Sequence, residues 1–328
     1  MESTQVVRLF DYLDQSADIL LNQIEGTYLD ALAAAGDNLF EQQILQEVRG
    51  ETEAMLEKKL NEVKDEKWER EDMRKAFQLA IIKGMKGTVQ ANHMLTPDAV
   101  SLFIGYLVQK LIDPKKERFK LLDLAVGSGN LLFSICNHVN NEPEAIGFEA
   151  DETLLKVAFA SANLQQREVA LYHQDSVQVT LPHADIVASD LPVGYYPKDD
   201  VAKGFELKAG EGHSYIHHLM IEQAIRSLHP GGYAVLLVPN FLFSSDQAEA
   251  LNVYLKKEAI VLGLLQLPSS LFSNSQHGKS ILLLQKKADN VKTPQQALLA
   301  ELPSFSNAEA MHDMMRQINK WFSEQLGR

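Results

Sequence analysis

The chain has 328 residues, 44 acidic against 31 basic side chains, a formal net charge of −13 and one cysteine. A single cysteine excludes a disulfide framework or a Cys-ligated metal cluster within one chain, and no apolar run reaches the roughly 20 residues needed to span a bilayer. The acidity argues against a free-standing, non-specific DNA binder, because Lys and Arg neutralising phosphates supply most of that affinity.

The N-terminus lacks a basic segment followed by an apolar one, so no signal peptide is read and a reduced, cytoplasmic setting is expected. Residues 1–90 read as a helical module. They hold 18 acidic and 11 basic side chains and no proline. Apolar residues recur at helical spacing, as in Val6, Leu9, Phe10 and Leu13 or Leu56, Leu60 and Val63. Gly36 and Gly50 are the expected breaks between helices. The module reads as a cap or as a surface for homodimerisation.

From about residue 91 to 287 the pattern changes. Thr96-Pro97-Asp98 opens a helix that runs to about Leu111. Short apolar strands follow at Lys120–Ala125, Ala145–Phe148, Val169–His173, Ile186–Ser189, Tyr233–Val238, Val261–Leu267 and Ser280–Gln285. Helices are expected between them at about 130–139, 152–164, 214–228 and 246–257. Strand–helix alternation with Val-, Ile- and Leu-rich strands predicts an open, mostly parallel α/β sheet. Residues 288–328 form a short tail with a helix from Ala308 to Leu326. Ligands of open α/β sheets bind beyond the carboxyl ends of the strands, so those positions carry the functional reading.

The first strand leads through Asp123, Gly127, Ser128 and Gly129 into a helix starting at Asn130. Such a turn lets a ligand approach the backbone closely, and it fits NAD, FAD or no ligand at all. The dinucleotide fingerprint asks for a third small residue where Leu132 stands, which counts against a dehydrogenase. Glu149 and Asp151 follow the second strand, and an acid there can accept from ribose hydroxyls. Asp175 and Ser176 follow the third. Asp190-Leu191-Pro192-Val193-Gly194-Tyr195-Tyr196-Pro197 follows the fourth. His213, His217 and His218 read as capping and packing residues rather than metal ligands, and Cys136 as a buried structural thiol.

The glycine turn, acid, Asp-Ser, Asp-x-Pro and Pro-Gly-Gly (residues 230–232) occur in the order seen in class I S-adenosylmethionine-dependent methyltransferases. The chain resembles their adenine-N6 DNA methyltransferase group, in the type I modification-subunit and TaqI-like branch, and within it the YtxK-like bacterial proteins. Leu95-Thr96-Pro97 is similar to the family's Tyr-Thr-Pro element. Leu267-Pro268 through Leu271-Phe272, followed by Lys279–Gln285, is similar to its Leu-Pro-x-x-x-Phe element and closing hairpin.

The resemblance implies a Rossmann-like seven-stranded, mostly parallel methyltransferase sheet with its last strand antiparallel, carrying the helical module at its N-terminus. It implies S-adenosyl-L-methionine as cofactor. Gly127, Ser128 and Gly129 would contact the methionine portion, and Thr96 and Pro97 would cover it. Glu149 would hold the ribose, Asp175 and Ser176 would flank the adenine, and Asp123 would order the glycine turn. Asn130, Asp151 and Asp190 complete the cofactor set. Asp190, the Leu191 carbonyl and Pro192 stand where the family's Asn/Asp-Pro-Pro-aromatic element holds a target amino group. Val193 takes the aromatic place, and Tyr195 is the candidate ring in its stead.

The implied reaction is methyl transfer to a planar amino or amide nitrogen, by family default adenine N6 in DNA. The alternatives are a protein glutamine N-methyltransferase and a cofactor-binding regulatory protein without transfer activity. No separate groove-reading segment is read in these residues, so action on nucleic acid is expected to require a partner or a local basic cleft.

Overall fold

The computed structural model describes residues 3–85, 95–272 and 274–328. The boundary expected at residues 90 and 91 lies outside them.

Four helices come first: α1 (Thr4–Leu20), α2 (Tyr28–Glu41), α3 (Glu51–Asn61) and α4 (Arg70–Met85). Side chains fix their starts. The Ser3 hydroxyl accepts from the Val6 N–H, and Thr27 and Asp30 form a reciprocal capping box at α2. Gly50 caps α3, but Gly36 lies inside α2 rather than at a break. A Cβ there would come within 2.7 Å of the Phe77 ring on α4, so packing rather than a turn accounts for the glycine.

The remaining elements are α5 (Asp98–Leu111), β1 (Arg118–Asp123), α6 (Asn130–His138), β2 (Glu142–Glu149), α7 (Glu152–Leu164), β3 (Val169–His173), β4 (Ala184–Asp190), α8 (Asp199–Ala202), α9 (Ile216–Ser227), β5 (Leu228–Pro239), α10 (Ala248–Glu258), β6 (Ala259–Gln266), β7 (Lys279–Lys286), β8 (Leu298–Glu301) and α11 (Ala308–Trp321). Among the described residues they form one eight-stranded sheet in the order β3-β2-β1-β4-β5-β7-β6-β8. β7 runs antiparallel to β5 and β6, and the other pairings are parallel.

The expected mixed sheet is present, with one strand more than the expected seven. The addition is β8, which pairs with β6 from within the segment read as a helical tail. Its four residues are too few for a clear alternating signal in the sequence. α11 follows it and buries Ile318, Trp321 and the adjoining Phe322 in the core that also holds Phe103, Leu262 and Leu265.

A second core fills the other face of the sheet, where Leu219, Ile221 and Ile225 of α9 meet Val187, Leu236 and Leu284. The helical module has its own core, which extends onto Val157, Ala160 and Leu164 of α7. Much of the apolar face that suggested homodimerisation is therefore covered within the chain. Strand order reverses between β1 and β4, which places a crevice at their carboxyl ends.

Candidate active site

A cavity of about 910 Å³ opens at that crevice. Thr96, Pro97, Asp123, Gly127, Ser128, Asn130, Glu149, Asp175, Ser176, Asp190, Leu191 and Pro192 all line it. These residues span almost one hundred positions of sequence, and the parallel sheet brings them together by ending β1, β2 and β4 on one edge.

The glycine turn is built around the Glu149 carboxylate. One oxygen accepts from the Gly127 N–H at 2.8 Å, and the other from the Ala150 and Asp151 N–H groups at 2.9 Å each. Gly127 and Gly129 both have positive φ, +55° and +86°. A Cβ on Gly127 would meet nothing within 4 Å, whereas one on Gly129 would strike the Phe133 ring at 2.2 Å. Gly127 thus faces open space, and Gly129 is required by packing.

Asp123 is buried beneath the turn and accepts from the Ala125 N–H and the Ser189 hydroxyl. Burial pushes its carboxyl up to about 7. The Ser128 hydroxyl is buried with no partner among the described residues. Asp175 accepts from the Tyr196 hydroxyl at 2.7 Å, the Gln178 amide and the Val177 N–H, which fixes its carboxylate at the cavity wall.

Three expected site residues do other work. Asp151 caps α7 by accepting from the Leu154 N–H and does not line the cavity. Gly129 also stands behind the wall. Tyr195 lies outside the cavity, 59% exposed and stacked on Tyr215 with ring centroids 4.9 Å apart. The bridge between Tyr195 and Tyr215 holds it there. Next to it, Tyr196 is buried and committed to Asp175. Among the described residues, the phenyl rings that do line the cavity are Phe241, just past β5, and Phe272. Phe241 rests edge-on against His217. Burial lowers the His217 imidazole to about 3 and His218 to about 4, so both serve as neutral packing rings. Cys136 is likewise buried, its thiol pushed up to about 12.

Two charged residues in and around the site escape the sequence reading. Lys279, which reads only as the start of the closing strand, forms an ion pair with Asp190 and also donates to the Leu191 carbonyl at 3.4 Å. The other Asp190 oxygen accepts from the Thr96 hydroxyl at 2.8 Å. Arg74 of α4 is fully buried, bonded to Glu71, to Asp98 and, at 2.6 Å, to the Asn130 side chain. Asn130 in turn donates to the Thr96 carbonyl. A continuous polar chain therefore runs from the helical module through Asn130, at the start of α6, and Thr96 to the end of β4. The only signal for Arg74 is an arginine at a core-facing helical position, in a segment where alternating charge suggests exposure.

With this geometry in place, comparison with known proteins assigns the chain. Residues 85–324 match the N-6 DNA methylase model. The chain belongs to the N-6 DNA methylase family. Residues 7–85 match the YtxK N-terminal helical domain. The uncharacterized protein YtxK of Bacillus subtilis (strain 168) is 44% identical over 333 residues, covering 99% of this chain and all of the relative.

A Listeria monocytogenes crystal structure, described as a candidate class I S-adenosylmethionine-dependent methyltransferase, superposes with a TM-score of 0.90 at 38% identity, covering 97% of this chain and 99% of that one. A type I restriction–modification methyltransferase subunit from Streptococcus thermophilus superposes with a TM-score of 0.66 at 14% identity, covering 95% of this chain and 74% of that one. At that identity the likeness is one of fold. The methylase match covers the residues of the sheet, and the YtxK match those of the four N-terminal helices.

Proposed function

We propose that this methylase transfers a methyl group from S-adenosylmethionine to a planar amino or amide nitrogen, with adenine N6 as the family default. The observation that carries the reading is the convergence of two sets of groups in one cavity. The Gly127–Ser128 turn with Glu149 lies on one side, and the Asp190 carboxylate with the Leu191 carbonyl on the other.

The residues fit the cofactor. Gly127 leaves room for a close approach, the Ser128 hydroxyl is a buried group without a partner among the described residues, and Glu149 retains acceptor capacity beyond its three backbone bonds. Glu149 would hold the ribose, Asp175 and Ser176 the adenine, and Thr96 and Pro97 the methionine end. When bound, the cofactor supplies an electrophilic methyl carried on a sulfonium.

The protein's part is orientation. Two hydrogens of the acceptor nitrogen are held by Asp190 and the Leu191 carbonyl, which keeps electron density on the nitrogen and fixes its direction. Leu191 offers its carbonyl as proline would. Asp190 is the base within the turn that takes the released proton. Phe241 is the ring available to a planar acceptor, in place of the aromatic residue that Val193 replaces.

Calorimetry tests the cofactor, with binding of S-adenosylmethionine and not NAD expected; NAD binding alone would overturn the reading. Methylation profiling of DNA, RNA and protein in cells with the wild-type chain, with Asp190→Ala and with no chain tests transfer. A methylated site lost in both of the latter is expected. A second reading, cofactor binding without transfer, is favoured by Val193 and predicts three identical profiles.

A further inference from the structure

Lys279 takes the two groups that would hold an acceptor nitrogen. Its ammonium is paired with Asp190 and directed at the Leu191 carbonyl, in the wall of the same cavity. The pair is mostly withdrawn from solvent, with side-chain exposures of 24% for Lys279 and 16% for Asp190. β7 delivers it: Lys279 is the first residue of that strand and lies opposite Pro239, at the carboxyl end of β5 and therefore on the same sheet edge as Asp190.

A count of hydrogen-bonding capacity shows what such a site can accept. An ammonium has three donors and a carboxylate about four acceptor positions. Lys279 uses two donors, and its third makes no hydrogen bond among the described residues. Asp190 accepts from Lys279 on one oxygen and from Thr96 on the other, leaving about half its capacity. The Leu191 carbonyl has a second lone pair. A neutral amino group can therefore donate to Asp190 and Leu191 with Lys279 still in place. A hydrogen-bond acceptor atom beside that amino group would meet the third Lys279 donor. A protonated amine has no such fit. It must either lie beside a second cation or evict Lys279 from its counter-ion in a half-dry cavity, and both are unfavourable.

We propose that Lys279 is a specificity-determining residue: it excludes cationic amines and selects a neutral, planar group whose N–H donors stand next to a hydrogen-bond acceptor. The Watson–Crick edge of adenine and a primary carboxamide share that chemistry. The inference rests on the acceptor role of Asp190 and Leu191 proposed above and narrows the acceptor class.

The test uses the full chain with its cofactor site filled by S-adenosylhomocysteine, whose binding is measured first by calorimetry. Absence of that binding would overturn the cofactor reading itself and this inference with it. Four probes are then titrated and followed by NMR: 9-methyladenine, its 1-deaza analogue lacking the neighbouring ring acceptor, propionamide and butylamine. At least one of 9-methyladenine and propionamide is expected to bind, and which one does distinguishes the two sources. Butylamine is expected to bind roughly tenfold more weakly or worse, and the deaza analogue should fall behind its parent by a similar factor if the purine binds.

In Lys279→Met both differences should shrink toward parity, with Lys279→Gln as the second variant should the first fail to fold. Equal binding of butylamine and the neutral probes to the wild type, no binding of either neutral probe, or undiminished discrimination in a folded variant would each overturn the proposal. The wild-type comparison can overturn the proposal even if neither variant folds.

Discussion

Glu149 joins two backbone segments and the cavity through one carboxylate. Three N–H groups from Gly127, Ala150 and Asp151 converge on it. Replacing it with Ala removes the proposed ribose acceptor and strands those donors. Cofactor affinity should fall by about 1–3 kcal/mol in calorimetry, and unchanged affinity would remove Glu149 from the site. Asp123 makes a prediction in pH. Its folded carboxyl is raised to about 7 from an ordinary 3.8 by burial. The folded chain then holds a proton that the unfolded chain releases at lower pH. The resulting stabilisation is complete below the ordinary value and is lost as pH rises through about 7. Asp123→Asn should flatten the decline of Tm between about pH 4 and pH 7, as followed by thermal melts across that range. Burial of this kind has no sequence signature: Asp123 and Asp175 are both acids at strand ends on the cavity, yet Asp123 is buried and Asp175 only partly so.

At the scale of elements, the glycine turn and α4 act together. Gly129→Ala forces a Cβ into Phe133 at a left-handed φ and should cost about 2 kcal/mol or more of stability. Gly127→Ala meets open space and should cost only about 1 kcal/mol while crowding the cofactor, so the two variants should separate in paired melts and binding titrations. Arg74 ties α4 to this turn through Asn130. Arg74→Met leaves Asp98 without its cation and Glu71 with only the more distant Lys75 and His138, and should lower stability by about 2–4 kcal/mol in urea melts, and cofactor affinity with it. Most strands and helices were legible because their apolar periodicity is strong. β8 was not, because four residues carry too little pattern. Tyr195 was expected at the acceptor because it follows the Asp-x-Pro turn closely. Its stacking on Tyr215 depends on a chain segment twenty residues away and could not be foreseen locally.

On the scale of the whole molecule, the three segments share cores and do not behave as beads on a string. α11 and β8 cover apolar residues of β6 and α5, and the helical module covers α7 and contributes Ile81 and Met85 to the cavity wall. Deleting residues 288–328 should therefore yield an aggregated or unfolded chain, judged by solubility and circular dichroism. A soluble, cooperatively melting truncation would contradict the packing described here. The net charge of −13 bears on the acceptor at this scale. Lys279, a cation lining the cavity, is paired with Asp190 and so adds little positive field for a phosphate backbone.

The sequence by itself determined the order of elements as far as β7, the mixed sheet and the family, because apolar periodicity and strand-end motifs are local properties of the chain. It also pointed to Thr96, Gly127, Glu149, Asp175 and Asp190, which the sheet gathers on one edge. Only the tertiary structure decided that Lys279 sits on Asp190 and the Leu191 carbonyl, that Arg74 is buried against Asn130 beside the glycine turn and that Phe241, not Tyr195, lines the cavity. Each of these depends on contacts between residues distant in sequence, and an ion pair or a buried guanidinium is set by what lies across the fold rather than by its neighbours in the chain.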